Sequence, residues 1–179
     1  MAKKEALREL QGRLAQRLQA AQTEPRGAAW LAVECAGRPL LFPLQQAGEI
    51  FDASAVLPVP HTRGWFAGVA NLRGGLHGVV DLAAFLGLRE RVGAEAPREG
   101  AHLVAFNPNL GLNCALMVDR LSGLRRAGEL VAEPAEAGAR PPFAGGRWRD
   151  GAGRVWQEIE LAALANDQGF LAISGGRAS

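Results

Sequence analysis

The chain changes its hydrophobic rhythm once, near residue 27. Before that point Leu7, Leu10, Leu14 and Leu18 recur at spacings of three, four and four, which stacks them on one side of a helix over residues 2–22. Ala15, Ala20 and Ala21 favour that helix, Gly12 weakens it, and Pro25 and Gly27 end it. The expected home of the leucine stripe is the protein's own domain, with docking to a partner as the alternative.

After residue 27, short apolar runs alternate with turn residues. Trp30–Cys35 and Leu40–Leu44 flank the turn Ala36-Gly37-Arg38-Pro39, a hairpin pattern. A strand is expected at Gly68–Leu72, then the turn Arg73-Gly74-Gly75, a second apolar run at Leu76–Leu82, and a helical turn capped by Asp81. The charged stretch Arg89–Gly100 reads as an exposed linker. The order then recurs: His102–Phe106, the turn Asn107–Gly111, the run Leu112–Val118, and a strand over Gly153–Glu160. Asp81-Leu82-Ala83-Ala84-Phe85 and Glu160-Leu161-Ala162-Ala163-Leu164 repeat an acid–Leu–Ala–Ala–apolar pattern 79 residues apart. This predicts an internal duplication of a small β unit. Phe170–Ile173 is expected to be a closing strand. The fold class is therefore mainly β, best solved as barrels that leave few open edges.

Composition narrows the function more than the fold. Gly and Pro supply 33 of 179 residues and apolar types 48%, as expected for a turn-rich packed fold. The net charge is only +2 despite a pI of 8.9, because 18 of the 20 basic residues are Arg. No large positive field for nucleic acid follows. Cys35 and Cys114 lie in apolar runs and read as small buried hydrophobes in a reducing compartment. No signal-peptide pattern opens the chain and no run reaches about 18 apolar residues, so a cytoplasmic protein without membrane insertion is expected.

The catalytic stock is thin. His61, His77 and His102, five Asp and four Ser form no GxSxG, HExxH or Walker pattern, and no pair has metal-clip spacing. Neither a cofactor, a metal nor an enzymatic activity is expected. The densest segment runs from Leu57 to Leu88, with Trp65-Phe66 side by side and Arg73 on a tight turn. Arg and aromatic residues at such places suit an interface, and Arg73 can also lock its own turn.

That segment resembles the CheW-like family of chemotaxis coupling proteins. The resemblance is carried by Pro60, Gly68-Val69-Ala70-Asn71-Leu72-Arg73-Gly74 and Val79-Val80-Asp81-Leu82. Phe42-Pro43-Leu44 with Ala47-Gly48-Glu49-Ile50, and Leu112–Val118 with Asp119-Arg120-Leu121, extend it over about residues 29–174. The aromatic pair and the N-terminal extension look most like the PilI-type adaptors of twitching motility. Three departures stand out: Gly78 where the family has Pro, Ala47 in place of a larger aliphatic residue, and the Gly-rich Pro141–Gly146.

The resemblance implies two pseudo-symmetric five-stranded β-barrels, residues 1–27 forming a helix and linker and 28–176 the domain, with intertwined halves near 28–95 and 100–174. It implies a non-catalytic adaptor that joins the cytoplasmic tip of a chemoreceptor to the regulatory domain of a CheA-type histidine kinase at membrane receptor arrays. By motif position, Glu49, Ile50, Val69, Leu72 and Arg73 are the expected partner-binding residues. A flagellar chemotaxis coupler is the near alternative. A small β-barrel nucleic-acid module, suggested by Trp30, Trp65, Trp148 and Trp156, is the distant one.

Overall fold

The computed structural model describes residues 2–23, 27–53, 56–90 and 96–175. Helix α1 (Ala2–Thr23) precedes eleven strands: β1 (Ala29–Cys35), β2 (Arg38–Pro43), β3 (Ala47–Asp52), β4 (Phe66–Leu72), β5 (Gly75–Asp81), β6 (His102–Phe106), β7 (Cys114–Val118), β8 (Arg120–Arg126), β9 (Leu130–Glu133), β10 (Ala144–Asp150) and β11 (Val155–Ile159). A one-turn helix, α2 (Leu82–Phe85), lies between β5 and β6, and two more, α3 (Leu161–Leu164) and α4 (Gln168–Leu171), follow β11. No described helix is long and apolar enough to cross a membrane.

The strands form two sheets. One has the order β8-β1-β2-β11-β10-β9, the other β3-β6-β7-β5-β4. Each takes its β-hairpin from one half of the sequence and its remaining strands from the other. The parallel contacts mark the exchange: β11 runs parallel to β2, and β5 runs parallel to β7. Under this pseudo-twofold relation β1-β2 corresponds to β6-β7, and β4-β5-α2 to β10-β11-α3. The duplication inferred from the acid–Leu–Ala–Ala pattern is thus visible in backbone geometry. Asp81 and Glu160 precede their helices with φ/ψ of −73/101 and −75/101. Their side chains have diverged. The Asp81 carboxylate accepts from the Ala84 amide at 3.2 Å, whereas Glu160 accepts from Gln46 Nε2 at 2.7 Å.

The expected pair of five-stranded barrels becomes one six-stranded and one five-stranded sheet, each curled and neither closed by a full ladder. Three residues, Ala127–Glu129, lead from edge strand β8 to the opposite edge strand β9. In the smaller sheet, Leu57 forms an isolated antiparallel bridge with Val69 of edge strand β4, through reciprocal amide–carbonyl bonds of 2.8 and 2.9 Å. Curling in this way limits the exposed edge that a flat sheet would leave.

Three apolar clusters follow. An alanine-rich one, with Leu72, Val79, Leu103 and Met117, fills the smaller sheet. Trp30, Leu41, Leu130 and Trp156 fill the larger one. The third, which includes Phe42, Phe66, Val80, Phe106, Leu116 and Phe170, lies between the sheets and unites them. Gly78, where the family pattern has proline, donates its amide to Asn113 O at 3.0 Å, a bond proline cannot make. Beside it lies the Phe66 ring, 3.2 Å from where a Cβ would stand. Ala47 is buried in the third cluster, paired with Phe106.

Three further expectations are corrected. Phe170–Ile173 is not a strand. Asp167 Oδ1 accepts from the Phe170 amide at 2.9 Å and starts α4, which drops the Phe170 ring between Trp65 and Phe106. Arg89 does not begin an exposed linker but is largely buried between two carboxylates, and residues 91–95 lie outside the described set. The leucines of α1 are not packed on the domain: Leu7, Leu10 and Leu14 are 57%, 57% and 52% exposed. The Leu18 side chain lies outside the described residues.

Cys35 and Cys114 are free thiols within the same core cluster, and burial pushes each up to about 12. Thiolate is the reactive form, so neither should react with iodoacetamide at pH 8 in the native protein, while both should react in urea. Labelling of either thiol under native conditions, at a rate close to that in urea, would contradict this burial. Above about pH 9 the unfolded chain loses these protons while the folded chain retains them. Stability should therefore fall as pH rises from there toward 12.

Candidate functional site

The site is assembled at one corner of the five-stranded sheet, where its two edge strands approach. Residues 73–74 form the two-residue connection between β4 and β5, with φ of +50 at Arg73 and +76 at Gly74. Positive φ at both central residues is the signature of the tight turn whose twist matches a hairpin. The first hairpin repeats it at Ala36 and Gly37, with φ of +48 and +75. Arginine is a poor residue for this backbone position. Its backbone cost is common to both turns, so only the side chain distinguishes Arg73.

That side chain reaches across to β3. Arg73 Nη2 lies 2.7 Å from Glu49 Oε1. A bulge in the β3–β6 pairing, between Ala47 and Ile50, aims Glu49 outward. Gly48 sits in that bulge because a Cβ there would stand 2.8 Å from Phe106 O. The two side chains are 75% and 44% exposed, and an ion pair this exposed contributes about 0–1 kcal/mol. Fold stability does not account for it. It presents a pair of opposite charges at the surface.

Beside the pair runs an apolar strip. Leu57 is paired with Val69, Val69 with Gly78, and Leu76 lies two residues before Gly78 on β5. Register therefore puts Leu57, Val69 and Leu76 on one face of the sheet. Leu57 and Leu76 are about two-thirds exposed, and Ile50 is exposed next to Glu49. Large apolar side chains left in water beside a charged pair are a feature of interaction surfaces.

Of the five residues expected from motif position, Glu49, Ile50 and Arg73 share this corner and face solvent. Val69 is half-buried, packed against the inter-sheet core while bridging Leu57. Leu72 is corrected: only 8% exposed, it belongs to the core of the smaller sheet and offers no contact area. Leu57 and Leu76 replace it as exposed apolar residues. Alternation along β4 shows only which residues share a face, and the curl of the sheet determines which face is wet. Among the described residues, no group of three or more His, Cys, Asp or Glu could hold a metal ion.

A largely buried polar joint lies at the opposite end of β5 from the Arg73 turn. Arg89 Nη1 donates to both Asp119 carboxylate oxygens at 2.8 Å, and Nη2 donates to the Asp81 oxygens at 3.1 and 3.2 Å. Asp119 Oδ2 also accepts from the Ala36 amide at 2.7 Å. The joint thus ties the end of β5, the end of β7 and the β1–β2 turn, elements of both halves.

Comparison with known proteins agrees with this architecture. The chain is 28% identical over 166 residues to Protein PilI of Pseudomonas aeruginosa, covering 90% of this chain and 89% of that one. The scaffolding protein TtCheW from Thermoanaerobacter tengcongensis shares its fold, with a TM-score of 0.60 and 17% identity over 74% of this chain and 88% of that one. The model of the CheW-like domain matches residues 29–169, which hold all eleven strands, the exchanged hairpins and the Glu49–Arg73 corner. The chain therefore belongs to the CheW-like domain family.

Proposed function

We propose that the protein is a non-catalytic adaptor in a chemosensory pathway. It couples the cytoplasmic tip of a chemoreceptor to the regulatory domain of a CheA-type histidine kinase, in a system that controls twitching by type IV pili. The protein works in the cytoplasm and is recruited to membrane receptor arrays. Holding receptor and kinase together raises their effective concentration, so contacts that are weak singly suffice. The observation that carries this reading is the solvent-facing Glu49–Arg73 pair beside Leu57, Val69 and Leu76, formed by residues at the family's motif positions.

The likeness to Protein PilI over nearly the whole chain supports the twitching system over a flagellar one. The nucleic-acid alternative loses its motive. Trp30 and Trp156 are buried, Trp148 packs 4.9 Å from Trp30, and Trp65 packs against Phe85 and Phe170, so none forms an open stacking platform.

Arg73→Glu places two carboxylates together at the corner without touching the core. Titration calorimetry against a purified CheA-type regulatory domain, and against a soluble receptor-tip fragment, should show at least about a tenfold loss of affinity for one of them. The circular dichroism spectrum and melting temperature should change little, because the pair is exposed. Unchanged affinity for both partners would remove the corner from the interface. An unfolded variant would assign Arg73 to the turn alone.

A further inference from the structure

Two features take no part in the coupling surface, and they complement each other. The first is the leucine ridge of α1. At 100° per residue, Leu7, Leu10 and Leu14 fall within one arc, Lys4 and Arg13 lie on either flank, and Glu5 and Glu9 lie on the far side. All these side chains are exposed. The Arg13–Glu9 contact is loose, at 3.5 Å between groups about three-quarters exposed, so the cation stays available.

The second is a groove of about 850 Å³ at the rim of the larger sheet. Its floor is Trp30, Pro43 and the exposed Leu44, and Glu158 and Glu160 line it. Among the described residues, no lysine or arginine lines it. Glu158 is buried, its oxygens accepting from Trp30 Nε1 at 2.8 Å and from the Gly146 amide at 3.0 Å, so the carboxylate that faces the groove is the half-buried Glu160, held in place by Gln46. An apolar ridge flanked by cations and an apolar groove with a fixed carboxylate match in both polarity and charge.

We propose that α1 of one copy docks its leucine ridge in the Leu44 groove of a second copy, so that the protein self-associates through its N-terminal helix. The occupant is a second copy because the chain's own α1 leaves its leucines in water, although Gly27, four residues past the helix end, lines the same groove. The inference goes beyond the coupling role and does not rest on it. Its consequence is a valency that one adaptor lacks: each copy offers one helix and one groove, which generates a closed dimer or a chain.

Sedimentation velocity on the full-length protein tests this. The expected result is concentration-dependent association that weakens with added salt. Leu10→Ala with Leu14→Ala, Lys4→Glu with Arg13→Glu, or Leu44→Glu should each weaken it at least about tenfold. These side chains are exposed, so the variants should fold. Mixing a Leu10→Cys protein with a differently sized Leu44→Cys protein should give a disulfide between the two chains. A single species at all concentrations, or association untouched by these changes, would overturn the proposal. So would a Leu10–Leu44 cross-link forming within one chain at high dilution, or helix-dependent binding to phosphatidylglycerol vesicles without self-association.

Discussion

Gly68→Ala is expected to cost about 3 kcal/mol or more and to open the edge of the five-stranded sheet. Gly68 has φ +140, a conformation that L side chains rarely adopt. An added Cβ would stand 2.0 Å from Leu57 O and 3.0 Å from Pro58 Cα. Both atoms are backbone, so no side chain can swing aside. The collision falls on the bridge between Leu57 and Val69, which is also the base of the apolar strip. Urea unfolding should give a lower midpoint. Native-state hydrogen exchange should show the Leu57 and Val69 amides losing protection while the β1–β2 amides keep theirs. Gly74→Ala is the control: it meets open space at φ +76 and should cost only about 1 kcal/mol. Equal effects from the two variants would mean that conformation, and not the close approach to Leu57, dominates.

Arg89→Met is expected to lower stability by about 3 kcal/mol, equivalent to about 6–12 °C in melting temperature for a chain of this size. The guanidinium donates four hydrogen bonds to two carboxylates, and only 14% of it is exposed. Methionine preserves the packing of the stem and removes every donor. Burial disfavours the charged form of Arg89, but the carboxylates of Asp119 and Asp81 outweigh it and raise its pKa further above the arginine range. The group stays charged throughout the accessible pH range. Arg89→Lys should recover part of the loss, because an ammonium lacks the planar fork that holds both carboxylates. A melting temperature within a degree or two of the parent would show that the joint adds little.

These two residues also mark where sequence reasoning stops. Hairpins β1-β2 and β4-β5 were legible because apolar runs met turn residues, and the duplication was legible in the short acid–Leu–Ala–Ala pattern. The strands β8 and β10 were not. Their sequences, Arg120–Arg126 and Ala144–Asp150, are polar and half-exposed, so they carry no clean alternation. Phe170–Ile173 was misread because four apolar residues look like a buried strand, whereas the Asp167 cap and one inserted ring make a helical turn. Arg89 looked solvent-bound because its partners are 8 and 30 residues away in sequence.

The candidate site divides the same way. Motif position singled out Glu49, Ile50 and Arg73, but nothing local says that residues 24 apart form one ion pair. That contact needs the curl that brings β3 and β4 together. The burial of Leu72 and the exposure of Leu57 and Leu76 depend on the same curl.

The central claim is that this protein transmits receptor state to a kinase by binding both. The most direct measurement reconstitutes receptor, CheA-type kinase and this protein, and follows kinase autophosphorylation with radiolabelled ATP. The account predicts that receptor control of the rate appears only when the protein is present, and is lost with Arg73→Glu. A rate and a receptor response that are the same with and without the protein would contradict it.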